Sequence, residues 1–326
     1  MSMTPDQIID RRRLRRKLTF WRLGAFMLMV AFLTALSAAS GLFDNFSRKS
    51  SDHIARVKIS GFIGNNREMV ELMEELGKKN SVKAVLLDVS SPGGSTVGGE
   101  AIYEAVRKLT EKKPVVTSVG TLAASAGYMV ACGSDYIVAH RSSLLGSIGV
   151  LIQYGDVSRL FEKLGVEVDS VKSSPLKAEP SPFSPASEEA RQMLENVVND
   201  SYEWFVKIVA ERRSLSPIRA RQVSDGSIFT GSQSVENGLI DAIGNEDDAR
   251  DWLVENKGIE SGLKFVEWKT KSRRSSGLLE SRAILQISKW FGFDIDNQAA
   301  DQLRELLPRP LFLDGLVSVL QTPSDH

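Results

Sequence analysis

The chain has 326 residues, 25% of them charged and 42% hydrophobic, which is enough apolar material for a sizeable core and excludes global disorder. Lys+Arg and Asp+Glu both number 41, so the formal net charge is zero, which argues against nucleic acid as the main partner. A single cysteine, Cys132, excludes an intrachain disulfide and a cysteine-rich metal site, and three histidines, His53, His140 and His326, leave few candidates for a histidine base.

The balanced total hides a local imbalance. Seven basic residues crowd between Asp10 and Arg22, and Leu23 to Phe43 then runs without one ionisable side chain. That length suits a transmembrane helix, which needs about 20 apolar residues. The flanking charge predicts residues 1–22 in the cytoplasm and everything after Phe43 exported. Phe20 and Trp21 stand where an interfacial anchor would. A cleavable signal peptide is the rival, with Ser37 to Ser40 as the small residues. The run exceeds the usual apolar region of such a peptide, which favours an uncleaved anchor over 23–43. Residues 44–52 then read as a polar linker.

From residue 53 the pattern alternates. Ile54–Ile59, Ala84–Val89, Pro114–Val119 and Asp135–Ala139 read as strands, whereas Met69–Leu76, Gly99–Leu109 and Ala123–Ala131 read as helices. Alternation at this pitch predicts βαβ units around a mostly parallel sheet. Val166–Val171 is strand-like. Glu188–Arg213 forms a long amphipathic helical segment, and Val223–Leu253 holds a second helical group broken at Gly231, Gly238 and Gly244. The α/β body is expected over residues 53–264. Residues 265–326, basic at first and then carrying apolar residues at helical spacing, are expected to form a helical extension that caps the body or joins an oligomer.

Three junctions carry chemistry. At Ser91-Pro92-Gly93-Gly94-Ser95 two glycines leave N–H groups uncovered, as an oxyanion would need, although such a turn is often only a turn. At Gly120 to Tyr128, small residues surround the hydroxyl of Ser125 at a strand-to-helix junction; a helix cap is the plainer role for that serine. At Lys172–Phe183, Lys177 is a lysine that could serve as base for a serine if its pKa were lowered from about 10.4, and most lysines in such a segment are simply solvated. Neither His53 nor His140 has the context of a Ser-His-Asp triad. Ser174-Pro175-Leu176-Lys177 matches Ser-x-x-Lys, but the companion triplets of penicillin-binding proteins are absent. Asp247, Asp248 and Asp251 read as a solvated helix face, so neither metal nor cofactor is expected.

Taken together, SPGG, GTLAASAGY, LLGSIGV (Leu144–Val150), PLKAEPSPF, GSIFTG (Gly226–Gly231) and NGLIDAIG (Asn237–Gly244) resemble, in order, the signal peptide peptidase A family of membrane-anchored Ser-Lys peptidases. The resemblance covers about Ile54 to Leu253 and implies a crotonase/Clp-type spiral fold. It makes Ser125 the nucleophile, Lys177 the general base and Ser147 the serine that holds the lysine amine. Gly93, Gly94 and Ala126 would supply the oxyanion hole. Before Lys177 the chain reads Pro-Leu where the family usually has Gly-Tyr. The resemblance further implies peptide substrates such as signal-peptide remnants, a homo-oligomeric ring, and an extracytoplasmic catalytic domain on the inner membrane. An acyl-CoA enzyme on the same fold does not suit an exported domain. A membrane-tethered scaffold with a silent dyad is the non-enzymatic alternative.

Overall fold

A computed structural model describes residues 20–29, 49–270 and 317–319. The chain divides into two compact units, Met1–His53 and Ile54–His326. In the first, residues 20–29 are helical, and Phe20, Trp21, Phe26 and Met27 are exposed. No helix among the described residues is long and apolar enough to cross a membrane. Residues 30–43 of the expected anchor, and the helices expected within 278–307, lie outside the described residues.

The second unit begins with β1 (His53–Ile63), α1 (Arg67–Lys78), β2 (Val82–Ser95), α2 (Thr96–Thr110), β3 (Val115–Ala124), α3 (Ala126–Ala131), β4 (Tyr136–Ala139) and β5 (Leu144–Gly146). It continues with α4 (Ser158–Lys163), α5 (Glu188–Arg212), α6 (Pro217–Gln222), β6 (Ile228–Thr230), α7 (Gly231–Glu236), β7 (Ala242–Ile243), α8 (Glu246–Lys257), β8 (Phe265–Trp268) and β9 (Val317–Val319). The described strands form one sheet along the path β6-β5-β3-β2-β1-β8, with β4 also on β3, β7 on β4 and β9 on β2. Pairings of β3 with β2, β4 and β5, and of β1 with β8, are parallel; β5 with β6 and β2 with β9 are antiparallel.

The parallel strands are apolar on both faces because helices cover both. Successive side chains point to opposite sides of a strand. Ala55, Val85, Leu87 and Val115 accordingly join one core with α1, α2, α3 and the C-terminal half of α5. Their neighbours Ile54, Leu86 and Val116 join the other, with Ala249 and Leu253 of α8. Tyr136 stacks on Trp252 there, ring centroids 4.5 Å apart. The α/β reading therefore holds, with helices on both faces of a largely parallel sheet.

Four local expectations need correction. Ala123 and Ala124, read as helix, end β3, because β5 pairs with residues 122–124 and holds them extended. Residues 93–95, read as a turn, remain strand because β9 pairs with them. Val166–Val171 forms no strand: among the described residues no strand pairs with it, and Val166, Val168 and Val171 are exposed. Phe265–Trp268, placed at the start of a helical extension, is β8, paired with β1; residues 317–319 of the same extension are likewise strand.

Behind the sheet, Arg213 donates two hydrogen bonds to Asp241, at 2.7 and 3.0 Å, and Asp241 accepts a third from the Ile137 N–H at 2.7 Å. The Arg213 side chain is 9% exposed, so losing its carboxylate strands a buried charge. Asp241→Ala is expected to cost about 3 kcal/mol of stability, read from the midpoint of denaturant unfolding. Cys132 is buried, and desolvation pushes its thiol up to about 11. It should therefore stay unreactive to a thiol reagent at pH 8 in the native protein and give one equivalent on unfolding.

Candidate active site

The site forms where two strand-to-helix turns meet. β2 pairs with β3 from Val85↔Val115 to Ser91↔Ala123, so the turns that follow both strands emerge side by side. Ser91 is buried; its hydroxyl donates to Gly61 O at 2.7 Å and accepts the Gly93 N–H at 3.2 Å. A Cβ on Gly94 would lie 1.9 Å from Ile63 O, and one on Gly127 would lie 2.9 Å from Ser91 O. Gly94 is thus packed against the end of β1 and Gly127 against Ser91, and glycine at both places is what the close backbone approach demands.

β3 changes partner on its way to this point. It lies beside β4 over residues 116–119 and beside β5 over 122–124. Ser143 covers the change of partner, donating to Gly120 O at 2.5 Å. Beyond it the chain turns at Ser125, whose backbone sits at φ 55°, ψ −120°. A side chain there is strained, at about 1–3 kcal/mol, and such strain clusters at functional sites. The Ser125 N–H donates to Gly146 O at 2.8 Å, and the Ser147 N–H donates to Ser227 O at 2.7 Å. Hydrogen bonding thereby brings the β3, β5 and pre-β6 turns into one row. Ser147 also has positive φ, 49°, as does Ala178 (60°), next to Lys177.

Ser125, 1% exposed, lines a cleft of about 420 Å³ together with Ser147, Ile148, Val150 and Leu151. Val198, Asn199 and Tyr202 of α5 form its far wall, and Ser224–Gly226 close one end. The Tyr202 hydroxyl donates to Ser224 O at 2.8 Å and ties wall to end. Bonds from Ser227 to the Asp225 carboxylate hold its pKa below the usual range, so the cleft carries a negative charge. The described residues lining it include no lysine, arginine or histidine. His53 engages Ser51 O through Nδ1, and neither it nor His140 reaches the cleft.

The site residues expected from sequence are therefore partly assembled. Ser125 and Ser147 share the cleft, whose lining includes neither Gly94 nor Ala126. The Gly93 N–H is directed at Ser91 Oγ. Lys177 lies elsewhere, exposed in the turn at 174–178, where its N–H donates to Ser174 O at 3.1 Å. A separate groove is lined by Ser174, Leu176 and Glu179. Lys172 nearby is paired with Glu179 at 2.5 Å, and its ammonium holds that carboxyl below the usual range. From 149 to 189 no residue is buried, and Tyr154, Leu160, Leu164, Val171 and Phe183 are among the exposed apolar ones. Asn199 and Tyr202 escaped the sequence reading; helical periodicity identifies α5 but not which residues meet a loop more than 20 positions away.

The strain is testable without assuming a function. Ser125→Gly should exceed Ser125→Ala in stability by about 1 kcal/mol, measured by thermal unfolding, because only glycine relaxes at this φ.

Comparison with known proteins follows the same residues. The model of peptidase family S49 matches residues 107–260. A putative protease of Methanocaldococcus jannaschii is 37% identical over 229 residues, covering 70% of this chain and 71% of that protein. A putative signal peptide peptidase SppA of Enterococcus faecium is 34% identical over 229 residues, 70% of this chain and 65% of that one. Protease 4 of Haemophilus influenzae is 33% identical over 234 residues, 69% of this chain and 38% of the relative.

Proposed function

The chain belongs to peptidase family S49, the serine peptidases that include signal peptide peptidase A, and on that basis we propose that Ser125 is its nucleophile and Lys177 its general base. The observation that carries the first assignment is the strained backbone at Ser125, a residue that lines the cleft. Neutral Lys177 takes the proton from Ser125 Oγ as the oxygen attacks the scissile carbonyl. The oxyanion accepts hydrogen bonds from the N–H groups of Gly94 and Ala126; loss of one such donor costs about 10²–10³ in rate. Gly93 contributes the shape of the turn rather than a donor. The lysinium then protonates the leaving amine, and water activated by the same lysine resolves the acyl-enzyme. Ser147 holds the lysine amine.

Lys177 is outside the Ser125 cleft of its own chain, which supports a dyad completed between two copies. The arm 149–189 that carries it has no buried residue and a row of exposed apolar side chains, as a segment that packs on a neighbour would. A head-to-tail ring would place each arm on the next cleft. We read the α/β body as a crotonase/Clp-type spiral. Residues 23–43 anchor it to the inner membrane, with residues 1–22 cytoplasmic and the body outside the cytoplasm. Its substrates are extended apolar peptides such as signal-peptide remnants, held by backbone pairing in the cleft.

Fluorogenic peptide hydrolysis tests the reading. Ser125→Ala and Lys177→Ala should each abolish turnover, and a serine-directed phosphonate should label Ser125 in the parent. An equal mixture of the two variants, exchanged into common oligomers, should recover about a quarter of the sites, since each needs one intact serine and one intact lysine from neighbouring chains. No recovery would return both residues to one chain. Turnover by Lys177→Ala would call for another base.

A further inference from the structure

Charge is segregated between the two ends of strands β1, β2 and β3. Their C-terminal ends lie together: the Ser91 hydroxyl donates to Gly61 O at 2.7 Å, Gly94 packs on Ile63, and Ser91 pairs with Ala123. Residues 61–66, 90–99 and 118–127, which form those ends and the turns beyond them, hold no ionisable side chain. The turns that lead into β2 and β3 at the opposite end are the reverse. Residues 78–83 and 107–113 carry six lysines and Arg107 against one carboxylate, Glu111. Lys78, Lys79, Lys83, Lys108 and Lys112 are exposed. Lys113 joins the two turns, its ammonium donating to Lys79 O and, at 2.5 Å, to Val82 O. Lys112 lies across the end of α1, where a Cβ on Gly77 would come within 3.3 Å of its Cδ. Glu74 approaches Lys78 only to 4.0 Å, an exposed pair that contributes little. Burial and the neighbouring charge of Lys83 push the Lys113 pKa below its usual value, as a local excess of positive charge does.

We propose that this lysine-rich end of the sheet docks on an anionic phospholipid surface. The proposal rests on the reading of residues 23–43 as a membrane anchor. β1 begins at the lysine-rich end, so the chain that follows the anchor joins the body there. Phe43 and Ile54 are eleven residues apart, a reach of at most about 40 Å. Tethering over that distance makes contact with headgroups an intramolecular event. Each lysine held near an anionic surface is worth about fivefold in affinity, through an attraction that fades within about 8 Å at physiological ionic strength. A net charge of zero gives the whole chain no general pull toward such a surface, so the segregated lysines set orientation. Docking by this end turns the opposite end, where β3 runs into Ser125, away from the bilayer.

The test uses the full chain with a fluorophore on a single introduced cysteine, N80C in the lysine-rich turn or N65C at the other end of β1; Cys132 is buried and leaves the label specific. Each protein is mixed with vesicles of phosphatidylcholine alone or with about a third phosphatidylglycerol, both holding a headgroup spin label that quenches on contact. Flotation of the vesicles is read in parallel. The N80C label should be quenched severalfold more in the anionic vesicles, and the difference should vanish at about 1 M salt, where the Debye length falls to about 3 Å. K79Q/K83Q/K112Q, which keeps Lys113 to join the turns, should also abolish it without changing thermal unfolding. The N65C label should stay unquenched throughout. Flotation with both vesicles and equal quenching at N80C would overturn the inference and leave the anchor reading intact. Quenching that survives the three lysine changes would overturn it as well. Flotation with the anionic vesicles alone would remove the anchor and leave the lysine docking standing, and flotation with neither would remove both.

Discussion

The site depends on one close approach of backbone to backbone. β2 and β3 run parallel, with a register shift between Val89 and Ser91, and Ser91 O then approaches Gly127, at the start of α3, too closely for a Cβ there. Everything nearby serves that contact. Ser91 pins the first turn to the end of β1, and Ser143 covers the change of partner that lets β3 bend toward β5. Tyr128, fully buried with its hydroxyl on Leu239 O at 2.7 Å, fixes the short helix that follows Ser125. The strained serine persists because these surroundings leave it no alternative, which is how a folded protein sustains a backbone conformation that a free chain would avoid.

The fold was legible where burial is symmetric. Runs such as Ala84–Val89 are apolar throughout because helices cover both sides, and that composition announces a central parallel strand without knowledge of its neighbours. Element ends were less legible, since they are set by residues distant in sequence. Ala123 and Ala124 are good helix formers held extended by Leu145 and Gly146 across the ladder. Gly93–Ser95 has the composition of a turn and is strand only through a segment more than 200 positions later. Val166–Val171 has the alternation of a strand and, among the described residues, nothing to pair with.

The site divides along the same line. Small residues around Ser125 and paired glycines before Ser95 are local signals, readable without knowledge of the fold. Which groups face Ser125 is a tertiary matter: Asn199, Tyr202 and Asp225 arrive from a helix and a loop whose sequences carry no chemical signature. Lys177 shows the converse. Its neighbourhood is recognisable in sequence, yet within one chain it stands apart from the cleft.

Helix α5 joins these parts mechanically. Its C-terminal half is rooted in the core through Phe205, Val206, Ile208 and Val209, whereas its N-terminal half is almost bare, with Ala190 alone buried. At 1.5 Å per residue its 25 residues span about 37 Å. Val198, Asn199 and Tyr202, which form the cleft wall, sit just outside the rooted half, and the exposed arm attaches to the free end. The element is a cantilever. The cleft wall is thus carried between a core that fixes one end of the helix and an exposed arm that leaves the other.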